Sequence, residues 1–298
     1  MTATGELYGV CGDSIGCIVS CPLASPGNIR LMMQTLAERL TLTALNCSIG
    51  HSRLIEGLDM AVEYGFGNVE MWWPFATPEP ARREMDELIA ELDKRALNLV
   101  ALNMWGGDMS AGDRGILHRE DMPKEHLDAI AYFNERTGVD KFNVLLGRGG
   151  DHLQAAQAER WSVIAREIAE RFGGIAMVEP LSGADDYPIR TIASAESLIR
   201  IAGHGGLLLD LYHVAVNTGV WKVIPEGSSE DAAVTAVSTA AVDSDIDNIA
   251  TANPVHVQVA DAPGRGAPGT GRLPLTAWIS ELRKANYRGH IVGEWLPQ

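Results

Sequence analysis

Apolar and polar positions alternate in a regular rhythm from residue 41 to the C-terminus. Short apolar runs at 41–48, 68–73, 97–104, 141–147, 174–180, 205–213, 256–260 and 290–295 read as buried strands. The segments 52–65, 79–95, 120–137, 154–172, 191–202 and 274–287 carry apolar residues at helical spacing, and Gly65 is the expected C-cap of the first. Residues 217–250 read as one or two helices with an acidic, Ala-rich surface. Strands that alternate with helices imply right-handed crossovers and a parallel sheet. Eight such repeats predict a single (β/α)8 TIM barrel over 41–298. An open, doubly wound sheet is the competing fold. The barrel is favoured because the eighth run lies at the very end, where it can close on the first.

Residues 1–40 depart from this rhythm. They are rich in Gly, Ser, Pro and Cys, with one short helix at 28–40, and read as a poorly ordered N-terminal extension. Cys11, Cys17 and Cys21 lie here without C-x-x-C spacing, so no metal centre is expected of them. At 46% hydrophobic and 21% charged, the 298-residue chain has the make-up of a soluble globular protein. The net charge of −15 is the wrong field for a phosphate backbone, so no nucleic-acid partner is expected. No run of 18 apolar residues and no basic-then-apolar leader is visible, and cysteines are few. These features predict a cytoplasmic protein without a membrane span. They leave a homo-oligomer open.

In a barrel of this kind the active site lies at the C-terminal ends of the strands. Those ends read Asn46, Glu70, Asn103, Gly147, Glu179, Asp210, Gln258 and Glu294. The last four are oxygen donors on consecutive strands. Three carboxylates and an amide oxygen suit a hard divalent cation, Mg2+ or Mn2+, better than Zn2+. Each alone reads equally as a cap or an ion-pair partner, and the weight comes from their grouping. His213 follows Asp210 in D-x-x-H and is placed to hydrogen-bond a substrate oxygen. His256 reads as a packed histidine on the same side of its strand as Gln258. Arg114 and Arg265 sit in glycine-rich loops, from which a guanidinium can clamp a carboxylate. GRGAPGTG follows a strand but lacks the context of a dinucleotide-binding turn.

Taken together, VEMWWPF, LNMWGGDMSAGDRGI, MVEPL, LLDLYH, HVQVADAPGRGAPGTG and GEWLP resemble hydroxypyruvate isomerase and its relatives among the xylose-isomerase-like barrels. The resemblance runs in order over residues 42–297. It implies a divalent metal held by Glu179, Asp210, Gln258 and Glu294, with Glu179 and Glu294 moving the proton. It places substrate contacts at His213 and Arg265, with Glu70 and Asn103 further out. The implied reaction interconverts hydroxypyruvate and tartronate semialdehyde through an enediolate, and which glutamate acts as base stays open. An isomerase or epimerase of a larger 2-oxo sugar acid or ketose is the alternative, and a non-catalytic sugar-acid binding barrel a distant one. A DNA-repair endonuclease of the related barrels would need more His ligands and a basic groove. Two positions depart from the family's E-P-G-T-G-E loop, which reads Ala267-Pro-Gly-Thr-Gly-Arg272 here. The step from Asp210 to Gln258 is 48 residues, against 31 from Glu179 to Asp210.

Overall fold

The computed structural model describes residues 40–240 and 244–296, with Thr35 and Glu38. The expected extension at 1–40 otherwise lies outside the described residues. Eight strands close a barrel in which every neighbouring pair is parallel. They are β1 (Ala44–Asn46), β2 (Asn68–Met71), β3 (Asn98–Asn103), β4 (Lys141–Asn143), β5 (Ile175–Val178), β6 (Gly206–Asp210), β7 (His256–Val259) and β8 (Ile291–Gly293). Closure comes from β8 lying beside β1, with Ala44 opposite Val292 and Leu45 opposite Gly293. The open doubly wound sheet is thereby ruled out.

The outer layer is α1 (Leu54–Tyr64), α2 (Arg82–Lys94), α3 (Lys124–Thr137), α4 (Ala155–Phe172), α5 (Ile192–Ala202), α6 (Leu211–Thr218), α7 (Glu230–Thr239), α8 (Ser244–Asn248) and α9 (Leu275–Lys284). Their apolar faces pack on the sheet to form the main core, with Trp161, Phe133 and Phe142 among its largest buried side chains. Gly65 ends α1 in the left-handed region (φ 85°), where a residue without a Cβ is unstrained.

Two expectations are corrected. The run 205–213 is not all strand. β6 stops at Asp210, whose carboxylate caps α6 by accepting from the N–H groups of Tyr212 (2.7 Å) and His213 (3.4 Å). An apolar LYH after an Asp therefore continues as helix. The run 141–147 is strand only to Asn143, beyond which Leu146 bridges Gly115 in the loop after β3. The insertion at 217–250 holds the end of α6, a 3-10 turn at Val220–Lys222, α7 and α8. Among the described residues, no helix is long and apolar enough to cross a membrane.

Candidate active site

Side chains on a strand alternate between faces, and this alternation builds the site. Ala101 on β3, Met177 on β5 and Leu208 on β6 pack together apart from the main core. Ala101 thus meets side chains of β5 and β6, strands that do not neighbour β3, across the barrel interior. Two residues further along the same faces come Asn103, Glu179 and Asp210. Glu179, Asp210, His213, Gln258 and Glu294 are each no more than 5% exposed.

Glu179, Asp210 and His213 each place a carboxylate oxygen or ring nitrogen within 4.8 Å of the others. His213 Nε2 lies 3.4 Å from Glu179 Oε1 and 3.5 Å from Asp210 Oδ2. Its other nitrogen, Nδ1, accepts the backbone N–H of Ser182 at 3.1 Å and lies 2.6 Å from the Ser182 hydroxyl. A backbone N–H can only donate, so the neutral ring carries its proton on Nε2. Burial pushes the His213 pKa down to about 4; Asp210 opposes this, while Arg265 and Arg114 reinforce it. His213 is thus a neutral donor facing two carboxylates.

Arg265 completes this side. Its Nη2 lies 2.8 Å from Glu294 Oε2 and 3.4 Å from Asp210 Oδ2, and its guanidinium sits 5.3 Å from the Tyr212 ring centre. The loop that presents it is wound around buried Asp261. That carboxylate accepts from the N–H groups of Ala262 (2.9 Å), Gly269 (2.8 Å) and Leu273 (3.0 Å). A Cβ at Gly271 would fall 2.4 Å from both Ala262 O and Asp261 Oδ1, so only glycine fits there. The Asp-then-glycine-rich motif is a scaffold that aims one arginine.

The other half of the barrel is built differently. Glu70 at β2 is buried, and donors occupy both of its oxygens. Oε1 accepts from Gln258 Nε2 (2.6 Å) and Asn46 Nδ2 (2.9 Å), and Oε2 meets His256 Nε2 at 2.5 Å. Asn46 also donates to Glu294 Oε1 at 3.1 Å, and Trp72 Nε1 donates to the same oxygen at 2.9 Å. Asn143 donates to Glu179 Oε2 at 2.8 Å. Asn103, in register with Asn143, helps line a cavity of about 490 Å3 with Trp72, Trp73, Phe75, Met104 and Trp105. Arg114 stays in its loop, bonding Asp113 O at 2.7 Å, while its charge reaches His213. Of the residues expected to touch substrate, His213 and Arg265 therefore join the acid cluster. Asn103 and Arg114 stand around it, and Glu70 lies in the interior network.

Burial raises the Glu179 carboxyl well above the usual range, and Glu294 and Asp210 add to the rise against Asn143 and Arg265. Glu294 is likewise raised by burial, with Glu70 and Asp210 adding and Arg265 and Trp72 opposing. For Arg265, burial opposes the charged form, but Glu294, Asp210 and Glu179 outweigh it and hold the guanidinium protonated. Among the described residues, the carbonyl oxygen of Gln258 is buried without a partner. Gln258 pairs in register with Asp210. Carboxylates short of countercharge beside an unmatched amide oxygen fit a hard divalent cation.

The sequence profile of the xylose isomerase-like TIM barrel matches residues 58–298. The chain belongs to this family. A Streptomyces coelicolor protein provisionally named hydroxypyruvate isomerase is 30% identical over 82% of this chain and 86% of its own length. The Escherichia coli hydroxypyruvate isomerase is 23% identical over 85% and 92%. Among solved structures, a Brucella melitensis protein described as a family 2 AP endonuclease superposes with a TM-score of 0.66 at 24% identity, over 86% of this chain and 94% of that one. A xylose isomerase-like barrel from Mycobacterium smegmatis, solved with magnesium, gives a TM-score of 0.51 at 14% identity over 85% and 90%.

Within this xylose isomerase-like barrel, the departure at Arg272 has a local explanation. Its guanidinium reaches Ile224 O (3.3 Å) and Glu226 Oε2 (3.2 Å), tying the loop after β7 to the insertion. Nothing in the structure explains Ala267. Sequence reading missed Asn143, Trp72 and Ser182 as parts of the site. Asn143 is hidden inside an apolar run, and Trp72 reads as core. Ser182 carries no pattern at all.

Proposed function

We propose that this protein is a metal-dependent isomerase that moves a proton between adjacent carbons of a small 2-oxo acid, interconverting hydroxypyruvate and tartronate semialdehyde. The observation that carries this reading is the buried cluster of Glu179, Asp210 and Glu294, with Arg265 and His213 against their oxygens. The divalent cation, Mg2+ or Mn2+, would be held by Glu179, Asp210, Gln258 and Glu294. When bound, it supplies Lewis-acid stabilisation for the negative charge that develops on the substrate oxygens.

The chain's own groups do the rest. A buried carboxylate that faces the substrate can act as base toward a carbon acid. One of Glu179 and Glu294 takes a proton from C3, and the same or the other delivers one to C2. The hydroxyl proton at O3 ends on O2, so atoms and charge balance. His213 offers its Nε2–H to a substrate oxygen. Arg265, with the charge of Arg114 also reaching His213, gives the substrate carboxylate a cationic seat in an otherwise acidic site. The named activity of the relatives from Streptomyces coelicolor and Escherichia coli supports the choice of hydroxypyruvate.

A second reading has its own support. The aromatic cavity beside Trp72 is far larger than a three-carbon acid needs, and aromatic faces suit the C–H faces of sugars. It favours a larger 2-oxo sugar acid or ketose on the same acid cluster. The test is an NMR isomerisation assay on hydroxypyruvate and on C4 to C6 homologues, with metal-stripped and Mn2+-reloaded protein. Turnover of hydroxypyruvate that is lost on stripping and restored by Mn2+ supports the first reading. Turnover of only the longer substrates moves the assignment to the second, and no turnover of any removes both.

A further inference from the structure

We infer that Glu70 is a positioning residue that fixes which end of the Gln258 amide faces the acid cluster. The inference rests on the metal reading above for its consequence, but not for its geometry. The two ends of an amide are nearly the same shape, so packing alone does not choose between them. Hydrogen bonding does. The Glu70 carboxylate accepts only, and Gln258 Nε2 donates to its Oε1 at 2.6 Å. That bond turns the carbonyl oxygen away from Glu70, and it is buried without a partner among the described residues. Inverting the amide would press oxygen against oxygen at Glu70 and offer the cluster an NH2, which repels a cation.

Glu70 is itself held. Asn46 Nδ2 donates to the same oxygen at 2.9 Å. The Asn46 amide cannot invert, because its oxygen accepts from the N–H groups of Ser48 (2.9 Å) and Ile49 (3.2 Å). His256 Nε2 sits 2.5 Å from the second Glu70 oxygen. Three donors from β1 and β7 thus converge on one side chain of β2. Asn46 carries the connection on to Glu294 Oε1. Glu70 touches no reacting atom in this arrangement; it acts through Gln258 and Asn46.

The test is Mn2+ affinity of the full chain, read by electron paramagnetic resonance. Glu70→Leu keeps the volume and removes the acceptor, and is expected to weaken Mn2+ binding at least tenfold. Glu70→Gln is expected to stay within threefold of wild type, because its oxygen can serve Asn46 and Gln258 while its NH2 donates to His256 Nε2 once the ring carries its proton on Nδ1. His256→Phe is expected to lower the melting temperature yet leave Mn2+ affinity within threefold, which separates positioning from plain stability. The wild-type Gln258 side-chain NH2 is expected to be protected from solvent exchange in NMR, a readout that needs neither metal nor turnover and survives if Glu70→Leu does not fold. Wild-type affinity in Glu70→Leu, equal losses in Glu70→Leu and Glu70→Gln, or a freely exchanging Gln258 amide would each overturn the inference. Mn2+ binding that ignores Glu70→Leu leaves the metal reading standing. Wild-type protein that takes up no Mn2+ ends the metal reading, while the Gln258 spectrum still decides the orientation.

Discussion

The two halves of the barrel meet at one site but contribute opposite chemistry. Strands β5 to β8 end in Glu179, Asp210, Gln258 and Glu294, and the three carboxylates among them face Arg265 or His213. Strands β1 to β4 end in Asn46, Glu70, Asn103 and Asn143, and an aromatic wall stands beside them. Only Glu70 among these four residues is a carboxylate, and donors cover both its oxygens. The first half holds charge under strain of burial; the second donates hydrogen bonds to it through Asn46, Trp72 and Asn143. This division teaches that the neutral half sets where the acidic half points. Carboxylate chemistry and the geometry that aims it come from different ends of the chain.

The largest effect should come from the acid half. Glu179→Gln and Glu294→Gln keep shape and remove the base, and each is expected to lower kcat about 1000-fold with the circular dichroism spectrum unchanged. Near-native kcat in both would dissolve the distinction between the halves. Arg265→Met leaves Asp210 and Glu294 without their cation and is expected to cost about 100-fold in kcat/KM for an acid substrate, mainly through KM. A change confined to kcat would take Arg265 out of substrate binding.

The neutral half can be probed through His126. It is fully buried, accepts the Trp105 N–H on Nε2 at 3.0 Å and bonds Pro78 O from Nδ1 at 3.0 Å. Burial pushes its pKa down to about 4, against the upward pull of Pro78 O. A lowered histidine gives its full stability above the unfolded value near 6.5, and loses it as pH falls from there toward 4. At pH 5 the loss should be about 2 kcal/mol. It should appear as a smaller acid shift of the urea midpoint in His126→Gln than in wild type. Equal shifts would mean that His126 does not carry this dependence. The smallest effect is expected from Trp105→Ala, which should leave hydroxypyruvate turnover within threefold. If a longer substrate uses the cavity, the same variant should lose about tenfold on it. An equal loss on both substrates would make the wall part of the acid site.

The acid half was the more legible in sequence, for a physical reason. A parallel strand buried on both faces reads as an apolar run, so a carboxylate at its end stands out, as at Glu179, Asp210 and Glu294. The order of strands and the closure followed from the same rhythm. The neutral half was harder to read because its partners are remote. Glu70 and Gln258 are 188 residues apart in sequence. Asn143 sits in the apolar run KFNVLLG, where the strand end was misplaced at Gly147. His213 was read at a strand end, yet D-x-x-H is a helix cap in which Asp210 accepts from His213 N. The lock on His213 comes from a backbone N–H of Ser182, and backbone groups leave no trace in side-chain patterns.

The most direct test of proton transfer at Glu179 and Glu294 is solvent-deuterium incorporation into hydroxypyruvate, followed by NMR with Mn2+-loaded protein in D2O. The expected result is deuterium on carbon at a rate that falls to background after EDTA and in both glutamine variants. Loaded wild-type protein that binds the acid yet leaves its carbon-bound protons unexchanged would contradict the account.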